Sequence, residues 1–168
     1  EWEFYETDEF WEYVDAYVAF VNEYAAGINH YANIDVLPFR GEMKPPEGKT
    51  SHDLTWRNQQ ALEERGLTPV PVVHYKAPMT VLHRYLDAGY DFIGLGGLVG
   101  STMQDSCKAW IDRCFDIICD TPDRMPKVKV HGFGVTSHRL MLAYPWYSVD
   151  STSWTKIGAY GGILIPHK

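Results

Sequence analysis

The feature that most constrains the fold of this chain is a repeated alternation of helical segments with short apolar strands. From residue 51 to residue 150, segments with apolar residues at three- and four-residue spacing alternate with short apolar runs. The connections between them are only a few residues long. This order is typical of parallel sheets built through right-handed crossovers. The sequence therefore predicts an α/β fold.

The predicted elements have clear start and stop signals. Helices are expected from Thr7 or Asp8 towards Gly27, and over Ser51–Arg65, Met79–Ala88, Ser106–Ile118 and His138–Leu142. Five strands are expected, with a sixth short one in the tail: Tyr31–Leu37, Pro69–Tyr75, Phe92–Leu95, Val128–Gly134, Trp146–Asp150 and Gly161–Ile165.

Polar or glycine residues recur where the predicted strands end, and this favours a TIM-type (β/α)8 barrel, whose active sites are assembled from the strand exits. A dinucleotide-binding fold is the weaker choice, because the sequence has no Gly-x-Gly-x-x-Gly turn that opens a helix and is followed by an acid. A full barrel uses about 250 residues, and this chain has 168. We therefore expect residues 1–168 to form a single, incomplete β/α-barrel domain of five to six parallel strands, or the C-terminal portion of one.

Composition narrows the function classes. The formal net charge of −7 argues against a protein that coats nucleic acid. Because the sequence has neither a long apolar run nor a signal peptide, we expect a cytoplasmic protein with no membrane association. Cys107, Cys114 and Cys119 match neither a zinc knuckle nor a disulfide framework, so we expect reduced, mostly structural thiols.

The candidate residues for chemistry lie at the predicted strand exits. Asp150 is placed to act as nucleophile, general base or metal ligand, and equally to cap the following turn. The glycines of Gly96–Gly100 let backbone N–H groups approach a phosphate or a base edge, although a tight turn has the same composition. His74 and His131 each end a strand, where an imidazole exchanges hydrogen bonds at neutral pH or serves the core.

Three segments in a fixed order resemble the second half of the tRNA-guanine transglycosylases. They are Gly94–Gly100, Val130–Thr136 and Ser148–Ser151. The chain is more similar still to the phage and bacterial DNA-modifying relatives of that family, which handle 7-deazaguanine bases. The resemblance extends over roughly residues 31–154.

The resemblance implies a TIM barrel that needs no cofactor, and it assigns roles to individual residues. Asp150 matches the nucleophile that attacks the anomeric carbon and displaces guanine through a covalent glycosyl intermediate. The family's base-reading loop corresponds to Gly96, Gly97 and Leu98. Its base-binding acid corresponds to Asp35, and the following polar position, usually Gln, corresponds to His74. At the position of an apolar Met that commonly stacks near the base, this chain has His131.

The sequence also departs from the family pattern. The Cys-x-Cys-x-x-Cys and His zinc site and the Asp-Ser-Gly-Gly segment with the second catalytic acid are absent, and Ser101 replaces a common Glu. The basic region that grips tRNA is also lacking. These departures favour one of three proteins. The first is a DNA-directed relative that is encoded by a phage and acts in the host cytoplasm. The others are a split or truncated enzyme that lacks its N-terminal segment, and a partner subunit.

The leading hypothesis is therefore a nucleobase-exchanging glycosyltransferase that replaces guanine in DNA or tRNA by a 7-deazaguanine base. One alternative is a non-catalytic subunit of such an enzyme, which binds only the base or a partner. Another is an unrelated metal-dependent TIM-barrel hydrolase, with its metal held by Asp35, His74, His131 and Asp150. The leading hypothesis assigns no metal to the site.

Overall fold

The computed structural model of the chain describes residues 2–37, 48–99, 105–135, 137–150 and 159–160. Two compact units are present, Glu1–Val73 and His74–Lys168. The helices of the described part are α1 (Asp8–Glu23), α2 (Ser51–Glu64), α3 (Met79–Asp87), α4 (Asp105–Ile118) and α5 (His138–Ala143). Its strands are β1 (Val72–His74), β2 (Phe92–Gly96), β3 (Lys129–Gly132) and β4 (Ser148–Val149). Short 3-10 helices cover Trp2–Glu6 and Ala25–Gly27.

The four strands form one parallel sheet in the order β1-β2-β3-β4. Consecutive strands are neighbours, and a helix connects β1 to β2, β2 to β3 and β3 to β4. Parallel neighbours need such crossovers, because the chain must return to the same end of the sheet before the next strand begins. The expected α/β fold with a parallel sheet is confirmed at this level. Its completion into a barrel stays a prediction, as does the single domain.

In the first unit, α1 begins where the sequence predicts and contributes its apolar face to the core. The Thr7 side chain accepts a hydrogen bond from the Phe10 amide and so satisfies one of the unpaired donors at the helix start. The apolar stripe of α1, including Phe10 and Val14, is buried against Leu62. The helix ends at Glu23, and the 3-10 turn follows before the predicted stop at Gly27.

The predicted strand Tyr31–Leu37 is wrong: within it the structure has only an isolated parallel bridge between Ala32 and Val70. Polar side chains of α2 bind the backbone of this segment instead. Thr55 Oγ1 accepts from the Val36 amide at 2.9 Å, and Asn58 Nδ2 donates to the Ile34 carbonyl at 2.9 Å. These bonds satisfy backbone groups that a strand would pair with a neighbouring strand.

The next predicted strand, Pro69–Tyr75, is present but shorter, as β1. Pro71 has no amide hydrogen, so it contributes no ladder donor between Val70 and Val72. The strand closes at His74, and the Tyr75 amide then donates to the Gly96 carbonyl at 2.8 Å.

In the second unit, α3 and α4 bury apolar faces that the sequence marks by periodicity. On α4 the buried residues include Trp110 and Ile111, together with two of the three cysteines, Cys107 and Cys114. All three cysteines are free thiols, as expected. Burial raises the pKa of Cys114 to about 12, so its thiol stays protonated at neutral pH and serves the core.

The remaining boundaries agree with the sequence to within a few residues. Gly89, with a φ of +86°, follows α3 at the predicted stop. β3 and β4 are shorter than the predicted Val128–Gly134 and Trp146–Asp150. The predicted tail strand Gly161–Ile165 lies outside the described residues. Among the described helices, none has the length and apolar character needed to cross a membrane.

Candidate functional site

Asp150 lies at the C-terminal end of β4, beside the exit of β3. The strands are parallel, with His131 opposite Ser148 and Gly132 opposite Val149. The Asp150 amide donates to the Gly132 carbonyl at 3.2 Å and so extends the pairing by one step. Side chains alternate between the two faces of a strand, so Ser148 and Asp150 lie on the same face.

The Asp150 carboxylate is both held in place and accessible. Its Oδ1 accepts a short hydrogen bond from the Gly134 amide in the turn that follows β3. More than half of the Asp150 side chain, 57%, remains exposed. A backbone donor fixes the orientation of the carboxylate that accepts from it. The arrangement therefore presents one carboxylate oxygen, Oδ2, to a bound molecule.

The turn that supplies this donor depends on two glycines. Gly134 has a φ of +69°, and a Cβ there would lie 2.4 Å from Cγ2 of Val99. At Gly132 a Cβ would lie 2.6 Å from Cγ2 of Val135 and 3.0 Å from Cζ3 of the Trp146 ring. The chain can therefore turn tightly at the exit of β3 and direct the Gly134 N–H towards Asp150.

The His131 side chain, on β3, contacts two residues of β4 and its exit. Its Nδ1 lies 2.8 Å from Oγ of Ser148, and its Nε2 lies 3.9 Å from Oδ1 of Asp150. The Phe133 ring packs edge-on against the imidazole, with the ring centres 4.3 Å apart. In the tautomer with the proton on Nε2, the Ser148 hydroxyl donates to Nδ1 and the Nε2–H lies on the side of Asp150.

Burial lowers the pKa of His131, and the charge of Asp150 only partly opposes that effect. The imidazole is therefore neutral at pH 7. A neutral imidazole beside a carboxylate can accept a proton at one nitrogen while it donates one from the other.

A second group lies at the exits of β1 and β2. His74 is almost fully buried, with 2% of its surface exposed. Gly97 has a φ of +70°, and a Cβ there would lie 3.3 Å from Nδ1 of His74. The predicted neighbourhood of His74 and the Gly97 loop is therefore present. Leu98 is fully buried, so its side chain belongs to the core, and the Gly96 carbonyl accepts from Tyr75.

Asp35 lies in the first unit. It stands between Ile34, whose carbonyl is bound by Asn58, and the buried Val36. Together with burial, which is the larger effect, the Asp35 charge raises the pKa of Tyr5. Among the described residues, no three of the His, Cys, Asp and Glu side chains lie close enough together to hold a metal ion.

Sequence reasoning missed two residues of the Asp150 site, Ser148 and Gly134. Ser148 stands two positions before Asp150 in the predicted strand, and this spacing already places both on one face. The partnership of Ser148 with His131 depends on the register between strands, which a single sequence does not show. Gly134 was noted only as part of a glycine-containing strand end.

Comparisons of the chain with protein-family models, with curated proteins and with solved structures found no match.

Proposed function

We propose that this chain is a nucleobase-exchanging glycosyltransferase related to the tRNA-guanine transglycosylases, with Asp150 as its nucleophile. It replaces guanine in DNA or tRNA by a 7-deazaguanine base, on a TIM-type barrel scaffold. One observation carries the proposal. The exposed Asp150 carboxylate stands at a parallel-strand exit, fixed by the Gly134 amide and adjacent to His131.

The proposed reaction has two displacements at the anomeric carbon of one nucleotide. In the first, a carboxylate oxygen of Asp150 bonds to C1′ while the bond from C1′ to N9 of guanine breaks, and its electron pair leaves with the base. The departing guanine takes up a proton from water, or from the second catalytic acid where that acid is present. In the second, N9 of the 7-deazaguanine loses its proton and bonds to C1′, and the carboxylate is released. The Gly134 N–H stabilises this carboxylate each time it regains its charge.

His131 is the neighbouring group best placed to bind the base edge and to exchange its protons. Nε2 of its ring lies 3.9 Å from Oδ1 of Asp150, and the hydrogen bond between Nδ1 and Ser148 sets the orientation of the ring. Burial keeps the imidazole neutral at pH 7, and in the tautomer in which the Nδ1–H donates to Oγ of Ser148, Nε2 is free to accept a proton from the incoming base. A nucleotide must be extruded from its stack to reach such a site.

The remaining base contacts are assigned to Asp35, His74 and the loop Gly96–Leu98. Gly97 supports this assignment, because the residue is exposed and its missing Cβ lets the loop lie close against His74. Asp35 is proposed as the acid that binds the base. A second catalytic acid, supplied by an N-terminal segment or a partner subunit in the host cytoplasm, would accelerate the departure of guanine, while Asp150 itself forms the covalent bond without it.

A base-exchange assay tests the proposal. DNA or tRNA labelled in guanine is incubated with the protein and a 7-deazaguanine base, and released guanine is measured. We expect release with the wild type and at least a hundredfold loss with Asp150→Asn, which keeps size but removes the nucleophilic charge. Asp87→Asn, at an exposed acid near the end of α3, is the matched control. Base binding without release in every protein would favour the non-catalytic subunit.

A further inference from the structure

A cavity of about 350 Å3 lies in the second unit, between the loop after β1 and one face of α4. This is within the range of small-ligand sites, about 300–1,000 Å3. Its lining includes Lys76 from the loop, and Ser106, Trp110 and Arg113 from α4. These three α4 residues are spaced so that they share one side of the helix.

The charge of this cavity differs from that of the whole chain. Two of its lining residues, Lys76 and Arg113, are cations, and none of the lining residues is an acid. The chain as a whole has a formal net charge of −7. Within the described residues, neither cation forms an ion pair. Both are exposed, so their charges are available to an anion.

The walls of the cavity are fixed by contacts between the loop and the helix. The Trp110 indole N–H donates to the Ala77 carbonyl at 3.1 Å, and Tyr75 Oη lies 2.7 Å from Oγ of Ser106. The Tyr75 and Trp110 rings pack edge to face. Such a framework holds the loop and the helix that carry the two cations in place before a ligand arrives, which lowers the entropic cost of binding.

Lys76 occupies a backbone conformation that a lysine rarely adopts. Its φ is +71°, in the left-handed region where residues other than Gly, Asn and Asp are strained. The turn is closed by the Ala77 amide, which donates to the His74 carbonyl at 2.9 Å. Strain of this kind clusters at functional sites. Here it places a cation at the rim of the cavity.

From these observations we infer that the cavity between Lys76 and Arg113 binds a backbone phosphate of the nucleic-acid strand on which the enzyme acts. A lysine and an arginine both attract the single negative charge of a phosphodiester. Of the Ser106 and Tyr75 hydroxyls, the one that accepts in their mutual hydrogen bond keeps its proton for a phosphate oxygen. This inference rests on the proposed function for the identity of the ligand.

The position of the cavity relative to the sheet fits a nucleic-acid strand that also reaches the Asp150 site. Lys76 follows the end of β1, and Asp150 follows the end of β4, at the same edge of the parallel sheet. Three strand spacings separate them laterally, roughly 14 Å at about 4.8 Å each. A short stretch of a nucleic-acid strand spans that distance, so one phosphate would be held to the side of the extruded nucleotide.

The test measures binding of a short, fluorescein-labelled, single-stranded DNA by anisotropy over a range of salt concentrations. The variant is Lys76→Asn with Arg113→Gln, because Asn tolerates a positive φ and Gln keeps much of the length of Arg. The matched control is Arg124→Asn, since Arg124 is another exposed cation with a positive φ, +60°, outside the cavity lining.

We expect the double variant to bind DNA roughly tenfold more weakly at about 0.1 M salt, with a salt slope lower by about 1. Arg124→Asn should lie within about twofold of the wild type. The inference is overturned if the double variant matches Arg124→Asn, or if the wild type does not bind DNA. A free phosphate as the ligand would also overturn the inference. In that case the wild type binds inorganic phosphate at matched ionic strength and the double variant does not, while the two proteins bind DNA with the same affinity.

Base exchange, measured for the wild type and for the double variant, separates this inference from the proposed function. If base exchange is absent from the wild type while the double variant still loses DNA affinity, the proposed chemistry fails and the phosphate site stands.

Discussion

Oγ of Ser148 lies 2.8 Å from Nδ1 of His131 across the paired strands β3 and β4, and this contact orients the imidazole beside Asp150. Replacing Ser148 by Ala should therefore cost about 1 kcal/mol of stability, the usual net value of one hydrogen bond. The rate of base exchange should fall by more than the loss of folded protein explains, because His131 loses the hydrogen bond that selects its tautomer. Ser148→Thr keeps the hydroxyl on a β-branched residue that suits a strand, and should retain both properties. Urea unfolding and guanine release measure the two effects. Equal activity in the Ala and Thr variants would contradict this role for Ser148.

Acidification should destabilise the protein in part through His131. Burial lowers the pKa of this imidazole below its usual 6.5. At pH values between the folded and unfolded pKa, the unfolded chain binds more protons, so stability rises with pH. The contribution is complete above about pH 6.5 and is lost as the pH falls towards the folded pKa.

The check is the urea midpoint of the wild type and of His131→Gln between about pH 7 and pH 5. Gln stays neutral, so the midpoint of the variant should fall less on acidification. A steeper fall in the variant would show that the folded protein holds a charged His131.

Gly97 should be more sensitive to substitution than a glycine that only ends a helix. Gly97→Ala introduces a Cβ at a φ of +70° and 3.3 Å from Nδ1 of His74. Gly89→Ala is the control, because its φ is +86° but its Cβ would meet no atom within 4 Å. The backbone strain alone costs about 1–2 kcal/mol in both.

We expect thermal unfolding to show an additional loss for Gly97→Ala, and 7-deazaguanine binding to weaken in this variant alone. Equal stability and equal base affinity in the two variants would mean that Gly97 is an ordinary turn residue.

The Gly134 turn can be tested by a double-mutant cycle with Val99. A Cβ at Gly134 would lie 2.4 Å from Cγ2 of Val99, so Gly134→Ala has to displace one of the two segments as well as strain a φ of +69°. We expect a loss of about 2 kcal/mol or more, from strain plus the clash. Val99→Ala should restore part of that loss, since it removes the clashing methyl group. Additive effects of the two changes would contradict the contact.

Local signals predicted the helices well because each signal has a local physical cause. Thr7 caps α1, and the capping box of Thr50 and Asp53 begins α2. The segment Tyr31–Leu37 failed as a strand, although its composition suits one. Its backbone is bound by Thr55 and Asn58, and such pairing across the chain leaves no periodic trace in the segment itself.

The candidate site was only partly accessible to sequence reasoning. Asp150 and His131 were predicted to lie together because both follow strands that end at one edge of a parallel sheet. In the structure, Nε2 of His131 lies 3.9 Å from Oδ1 of Asp150. The sequence leaves open whether His74 binds a ligand or serves the core, because a polar residue at a strand end looks the same in both cases, and the structure buries it. The Lys76 cavity was missed as well, since it depends on how α4 packs against the loop after β1.

Trapping a covalent bond between Asp150 and the nucleic acid tests whether this carboxylate is the nucleophile. Wild type and Asp150→Asn are incubated with guanine-containing DNA or tRNA, denatured and examined by intact mass spectrometry and by peptide mapping. The account predicts an adduct in the wild type, on the peptide that contains Asp150, which a 7-deazaguanine base discharges. Asp150→Asn should bind the nucleic acid but form no adduct. The same adduct in both proteins, or normal base exchange by the Asn variant, would contradict the assignment of Asp150 as the nucleophile.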